Sequence, residues 1–243
     1  HVRVYQYDGT TWLQLGQDID GETGSNYSGG SVSMSSDGTT VAIGAELNDG
    51  NGADSGHVRV YQYDGSTWSQ LGQDIDGEAA GDYSGESVSM SADGTKVAIG
   101  AFSNNGNGAR FGHVRVYQYY GSTWSQLGQD IDGEAALDYS GDSVSMSADG
   151  TTVAIGARLN DGNGSSSGHV RVYAFGFAPE VNVSAATAIT STEATLQGEV
   201  TNDGGSSITE RGFVYALSSE DSTPTLAEVN GLTIFKVPDD AQG

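Results

Sequence analysis

A unit of about 56 residues recurs in tandem through most of this chain, starting afresh at His1, His57, His113 and His169. A fixed period of this kind marks an architecture in which each unit is one supersecondary element that buries its apolar faces only by stacking on its neighbours. The second and third units differ at only about ten positions. Nearly every residue that could serve as a catalyst therefore occurs more than once in the same context, which weighs against an enzyme.

Within one unit the pattern is that of short strands. In the copy running from Ser87 to Glu134, SVSMS (Ser87–Ser91) alternates small polar with apolar residues, Asp93-Gly94 supplies a turn, and TKVAIGA (Thr95–Ala101) follows as a second strand. An Asp-Gly pair between alternating runs predicts a tight hairpin with positive φ at both central residues. A Gly/Asn-rich loop, Phe102 to Gly112, leads to HVRVYQY (His113–Tyr119), and Tyr120-Gly121 turns into TWSQLGQDI (Thr123–Ile131) as the fourth strand. The other copies place Asp8-Gly9 and Asp64-Gly65 at that last turn, so Tyr120 is the outlier.

Four short antiparallel strands with no helical period fit a β-propeller blade. Both faces of the third strand carry residues able to pack, Val114 and Val116 on one and Arg115, Tyr117 and Tyr119 on the other. The thin, Ser-rich first strand suits the innermost position. The expected fold is thus all-β, about three blades over residues 1–175. The missing strands imply that the propeller continues upstream or closes by self-association.

The layout SVSMSADGTKVAIGA followed by GHVRVYQY is similar to a WD-repeat blade without the Trp-Asp dipeptide. The fuller pattern YSGxSVSxSxDGxxVAIGA, NDGNG, GHVRVYQYxGxxWxQLGQDIDGE resembles FG-GAP-like propeller repeats of secreted bacterial surface proteins. That resemblance implies an extracellular or cell-surface location and a role in binding or adhesion. It also implies a departure, since integrin-type repeats carry a DxDxDG-like calcium loop inside the hairpin where this chain has only Ser-Ala-Asp-Gly.

At Phe177-Ala178-Pro179 the composition changes. TSTEATLQGEV and ITERGFVYA, either side of an Asn202-Asp203-Gly204-Gly205 turn, resemble the start of a fibronectin type III-like domain. Residues 176–243 are too few for the roughly 100 of a complete sandwich, so that domain is expected to be partial.

The formal net charge of −23 excludes nucleic acid as a partner and disfavours anionic membranes, because both are bound through Lys and Arg neutralising phosphates. No stretch of sequence is long and apolar enough to suggest membrane insertion. With no cysteine, thiolate metal sites and disulfides are ruled out. The carboxylates instead gather in one recurring loop between the fourth strand and the next blade: Asp18, Asp20 and Glu22; Asp74, Asp76 and Glu78; Asp130, Asp132 and Glu134. Carboxylates two apart around a glycine are what a calcium loop needs, although the glycine falls at the fourth position rather than the sixth. Calcium is the cofactor this spacing suggests; solvated turn residues are the competing explanation.

Variation concentrates in the loop between the second and third strands, ELNDGNGADS, FSNNGNGARF and RLNDGNGSSS. Glu46, Phe102, Arg110, Phe111 and Arg158 are the candidate ligand-binding residues there, with neutral drift on a tolerant loop as the alternative. His1, His57, His113 and His169 each begin a third strand and are expected to be structural. Trp12, Trp68 and Trp124 open the fourth strand, where they either pack between blades or stand exposed as sugar platforms.

These residues predict a non-catalytic binding or adhesion scaffold that engages a protein or glycan at a surface through repeated acidic loops. A lectin-type, carbohydrate-binding propeller is the alternative. A propeller glycosidase is a third, weakened because Thr95-Lys96-Val97 breaks the Asp-box that Ser91-Ala92-Asp93-Gly94 begins.

Overall fold

A computed structural model describes residues 1–175 in full, together with the backbone of Glu180–Val183 and Gly198–Asn202. His1–Ala174 form one compact unit and Phe175–Gly243 a second. In the second unit the two described strands pair antiparallel, with a register shift at Glu180/Val181. The rest of the fibronectin-like expectation lies outside the described residues.

The first unit is all-β and built of blades. It opens with two strands of one blade, β1 (Tyr5–Tyr7) and β2 (Trp12–Gln14). A complete blade follows as β3 (Ser31–Met34), β4 (Thr40–Ala45), β5 (His57–Tyr63), β6 (Trp68–Gln70) and β7 (Ile75–Asp76). The next repeats it as β8 (Ser87–Met90), β9 (Lys96–Ala101), β10 (His113–Tyr119), β11 (Trp124–Gln126) and β12 (Ile131–Asp132). Three strands of a further blade close the series, β13 (Ser140–Met146), β14 (Thr152–Ala157) and β15 (His169–Ala174). In each complete blade the strands lie in sequence order from the inside out, and every pairing is antiparallel.

The fourth strand is not continuous as its sequence suggests. β6 and β7 both pair with β5, and β11 and β12 both pair with β10, leaving Leu71–Asp74 and Leu127–Asp130 as bulges between them. Gly72 is the residue that permits the bulge, at φ +78°, and a side chain there would run into Trp124 of the next blade.

The turns also differ from the sequence reading in an instructive way. At the first hairpin only the glycine takes positive φ, Gly38 and Gly94 both at +73°. The tip is a four-residue loop in which Ser35 N–H pairs with the Thr40 carbonyl and Gly38 N–H with the Ser35 carbonyl. Asp37 shapes it, accepting from the Thr39 N–H and the Ser35 hydroxyl. In the outer hairpin the tip residues are Gly9-Thr10, Gly65-Ser66 and Gly121-Ser122, so positive φ falls on the first central residue, the II′ requirement. Asp8, Asp64 and Tyr120 merely flank the tip, which is why tyrosine is tolerated there.

What the aspartates contribute is a cap. Asp8 is held near pKa 2, chiefly by the Thr11 N–H and then by the Thr10 hydroxyl and N–H, and Asp149 near 2 by the Ser147 hydroxyl and Thr151 N–H. The equivalent donors in the next blade, the Thr67 N–H and then the Ser66 hydroxyl and N–H, push Asp64 down further. Since the folded carboxyls are more acidic than unfolded ones, their contribution is full above the unfolded value of about 3.9 and is lost as pH falls towards 2. Melting temperature should therefore drop across that window, and D64N combined with D149N should flatten the drop. An acid limb unchanged in the double variant would show that these caps do not couple to folding.

The core lies between blades rather than within them. Val4 and Ile19 of the opening blade pack with Val41, Ile43 and Trp68 of the next. Ala42, Val58, Val60 and Ile75 of that blade in turn meet Val97, Ile99, Tyr117 and Trp124. The serines of the innermost strands are explained by the same geometry: Met90 N–H donates to Ser33 Oγ, Met146 N–H to Ser89 Oγ, and the Ser31 and Ser87 hydroxyls donate to the carbonyls of Gly85 and Gly141 one blade on. Where blades converge, small polar side chains bridge sheets too close for larger ones.

Candidate ligand- and metal-binding face

The long connections of each blade are tied together at one end of the sheets. The loop after β4 donates none of its tip to the core; instead Asp54 and Ser55 carbonyls accept from Tyr83 and Ser84 N–H in the connection leading to the next blade, and Arg110 and Phe111 carbonyls accept from Tyr139 and Ser140. Short parallel bridges, Gly56 to Ser84 and Gly112 to Ser140, seal this seam. The price of the seam is local strain: Tyr27, Tyr83 and Tyr139 all sit at φ between +55° and +58°.

The two complete junctions along this face each gather one histidine, one arginine and several carboxylates. At the junction after the second complete fourth strand, His113 Nδ1 lies 3.6 Å from Asp130 Oδ2 and 3.9 Å from Glu78 Oε2. Arg115 donates to the Asp76 carbonyl at 2.7 Å and stands 3.5 Å from Glu78 Oε1. Its guanidinium also lies over the Tyr117 ring. Gln126 donates to Asp130 Oδ1 at 2.7 Å. One blade earlier the arrangement repeats: His57 Nδ1 is 3.8 Å from Asp74 Oδ2 and 3.9 Å from Glu22 Oε2, Arg59 donates to the Asp20 carbonyl at 2.9 Å, and Gln70 donates to Asp74 Oδ1 at 2.6 Å. Burial holds both imidazoles below their ordinary pKa, against the pull of the neighbouring carboxylates, so they are neutral near pH 7. Asp76 is pushed the other way by burial and by Asp74.

The nine carboxylates singled out from spacing thus divide. Glu22, Asp74, Glu78 and Asp130 converge on the two buried histidines. Asp76 stands 4.0 Å from His57 Nδ1 at the rim of the first of these junctions. Asp18 is instead bound by Arg3 through Nε and Nη2, the shortest contact being 2.7 Å. Asp20 and Asp132 are exposed, the first contributing its carbonyl to Arg59 and the second lying in β12 opposite His113. Glu134 lies 3.6 Å from His169 Nδ1 and pairs with Arg171. At two of these junctions the fold adds an imidazole to the carboxylates that the sequence spacing points to. The one signal for it was positional, since His, Arg and the acidic loop recur in step with one another.

The variable-loop candidates also divide. Phe102 is flanked by Tyr83 and Tyr139, at ring-centroid separations of 5.5 and 5.6 Å. Arg110 donates to the Tyr139 hydroxyl at 2.9 Å, and Arg158 lies over the Tyr139 ring while donating to Asp142 at 2.7 Å. Phe111 lies against Gly108 in its own loop. Glu46 joins none of this aromatic group: its Oε2 is buried beside Gly30 without a partner, and burial pushes its carboxyl up.

The tryptophans are core where a blade precedes them. Trp68 and Trp124 are 4% and 3% exposed, and their indole N–H groups donate to the Leu15 and Leu71 carbonyls of the preceding blade. Gln17 and Gln73 clamp the backbone of each from the same side. They are not available as sugar platforms. Trp12, at 67% exposure, has no such cover within the described residues.

Residues 131–175 match the FG-GAP repeat family. No curated protein matches this chain. Among solved structures, the chain is similar to one from Bacteroides uniformis described as a candidate 6-phosphogluconolactonase, at 10% identity and a TM-score of 0.32. That match covers 68% of this chain, which spans 56% of the length of the other.

Proposed function

We propose that this chain is a non-catalytic binding scaffold of an extracellular or cell-surface protein, engaging a protein or glycan through the acidic junctions and variable loops of one propeller face. The observation that carries this reading is repetition at the level of geometry: two successive junctions hold His, Glu, Asp, Arg and Gln with matching partners and distances. Acid–base catalysis needs two groups whose surroundings split their pKa values. Equivalent sites in series suit multivalent contact, in which modest local affinities multiply through effective concentration. The FG-GAP repeat match is compatible with such a location and role.

Carbohydrate recognition is the second reading, moved from the tryptophans to the Tyr83–Phe102–Tyr139 group, whose rings and adjoining Arg110 and Arg158 combine stacking surface with hydrogen-bond donors. Binding of the chain to an array carrying both surface glycans and matrix polypeptides separates the two. Under the scaffold reading, signal falls stepwise as Glu22, Glu78 and Glu134 are changed to Gln one at a time, and F102A matters little. Abolition by F102A alone, with a discrete sugar preference, would replace it with the second reading.

A further inference from the structure

We propose that the two complete blade junctions are divalent transition-metal sites, each formed by one imidazole and two carboxylates: Glu22, His57 and Asp74 in the first, Glu78, His113 and Asp130 in the second. This goes beyond the binding role of the face and stands whether or not a macromolecule docks there.

The starting point is His113. Its side chain is 1% exposed, yet neither ring nitrogen has a hydrogen-bond partner. A buried polar atom without a partner costs on the order of 1–3 kcal/mol, so natural folds rarely leave one idle. Nδ1 points into the gap between Asp130 Oδ2 at 3.6 Å and Glu78 Oε2 at 3.9 Å. Those separations are too long for hydrogen bonds. They approach what a shared ion imposes: with metal–ligand bonds of about 2.0–2.2 Å, tetrahedral partners stand roughly 3.4 Å apart. In both junctions the three ligand atoms fall within 4.8 Å of one another.

Each carboxylate is also oriented by a donor on its other oxygen. Glu78 turns Oε1 to Arg115 and Oε2 to the histidine; Asp130 gives Oδ1 to Gln126 and Oδ2 to the histidine. The first junction repeats this division, with Arg59 on Glu22 Oε1 and Gln70 on Asp74 Oδ1. There Asn48 also reaches Glu22 Oε2, at 3.4 Å, so the second junction is the freer of the two. Outer donors that fix the direction of a ligand atom are the usual support of metal sites. The chemical class follows from the donor set. One nitrogen and two carboxylate oxygens suit Zn²⁺, Co²⁺ or Mn²⁺, whereas calcium takes six to eight oxygens. Three protein ligands leave further positions open on the solvent side, where the carboxylates are partly exposed and a ligand oxygen could complete the shell.

The test is a titration of the whole chain with Co²⁺, followed by visible absorption, and then displacement by Zn²⁺ or by excess Ca²⁺. Uptake of about two equivalents, one for each junction, is expected, with displacement by Zn²⁺ and not by Ca²⁺. H113Q should lose one equivalent and leave the other. Because His113 is buried, the partly exposed Asp130 and Gln126 provide independent variants: D130N should also lose one equivalent, and Gln126→Ala should weaken one site by about 10- to 100-fold while circular dichroism stays unchanged. Absence of Co²⁺ uptake by the folded chain, uptake equal in D130N and the parent, or displacement by Ca²⁺ as readily as by Zn²⁺ would overturn the assignment.

Discussion

Replacing Trp124 by alanine is expected to destabilise the repeat unit by about 3–5 kcal/mol, the range for removing a large buried aromatic side chain. The indole fills the contact between two blades, among Val58, Val60, Ile75 and Tyr117, and Gly72 of the preceding bulge passes close over its ring. Two further losses accompany the cavity. The Leu71 carbonyl, which accepts from the indole N–H at 2.7 Å, would lose that partner, and the Gln73 clamp, which grips the backbone of this residue, would have less to hold in place. W12A is the internal control, because Trp12 occupies the same repeat position but is 67% exposed among the described residues, and it should change stability by well under about 1 kcal/mol. Urea unfolding followed by far-ultraviolet circular dichroism measures both. Equal, small effects for the two variants would mean that blade-to-blade packing is not the source of stability in this unit.

Gly100→Ala is the second large effect, and it arises from the opposite cause. Gly100 lies in β9, where its backbone is extended and any residue could adopt the torsion, so conformational preference does not explain the glycine. A methyl group there would overlap the Gly141 carbonyl oxygen of the next blade and the Ser87 hydroxyl that donates to it. Neither neighbour can yield easily, since one is backbone and the other is pinned by its own hydrogen bond. Overpacking of this kind costs about 1–3 kcal/mol and more where backbone must move, and we expect about 3 kcal/mol, a fall in melting temperature of roughly 6–12 °C for a domain of this size. Gly44→Ala should behave alike, because it meets Gly85 and Ser31 in the same way. A G100A protein as stable as the parent within about 0.5 kcal/mol would show that adjacent blades can separate freely at their inner strands.

Both effects belong to interfaces that the sequence does not draw. The repeat length, the alternation in SVSMS and TKVAIGA and the glycines at the hairpin tips suffice to place strands and to order them into blades, because strand pairing within a unit is local and each turn is encoded by the residues that form it. Hairpin geometry is less legible: the Asp-Gly pair predicts two positive torsions, whereas the aspartates act as caps and only the glycines turn left-handed. The bulge at Leu71–Asp74 is likewise hidden, since nothing local distinguishes it from a longer fourth strand.

The candidate site divides along the same line. That acidic residues recur in the connection before each new blade, and that variation gathers at Phe102, Arg110 and Arg158, could be read directly from aligned copies. That Glu78 of one unit and Asp130 of the next should meet His113 could not, because the three are separated by 35 residues on one side and 17 on the other and are joined only when consecutive blades stack. Read singly, each histidine is simply a residue at the start of its strand.

By itself, then, the sequence determined an all-β repeat of four-stranded units, its period, its turns to within a residue or two, and its strongly acidic surface, all properties set by short-range pattern and composition. The tertiary structure alone decided which tryptophans are core, why the innermost strands are serine, why Gly100 admits no side chain, and which carboxylates face an imidazole. Those are properties of the gap between two sheets, and the width and polarity of that gap are fixed by twist and stacking rather than by any one segment of chain.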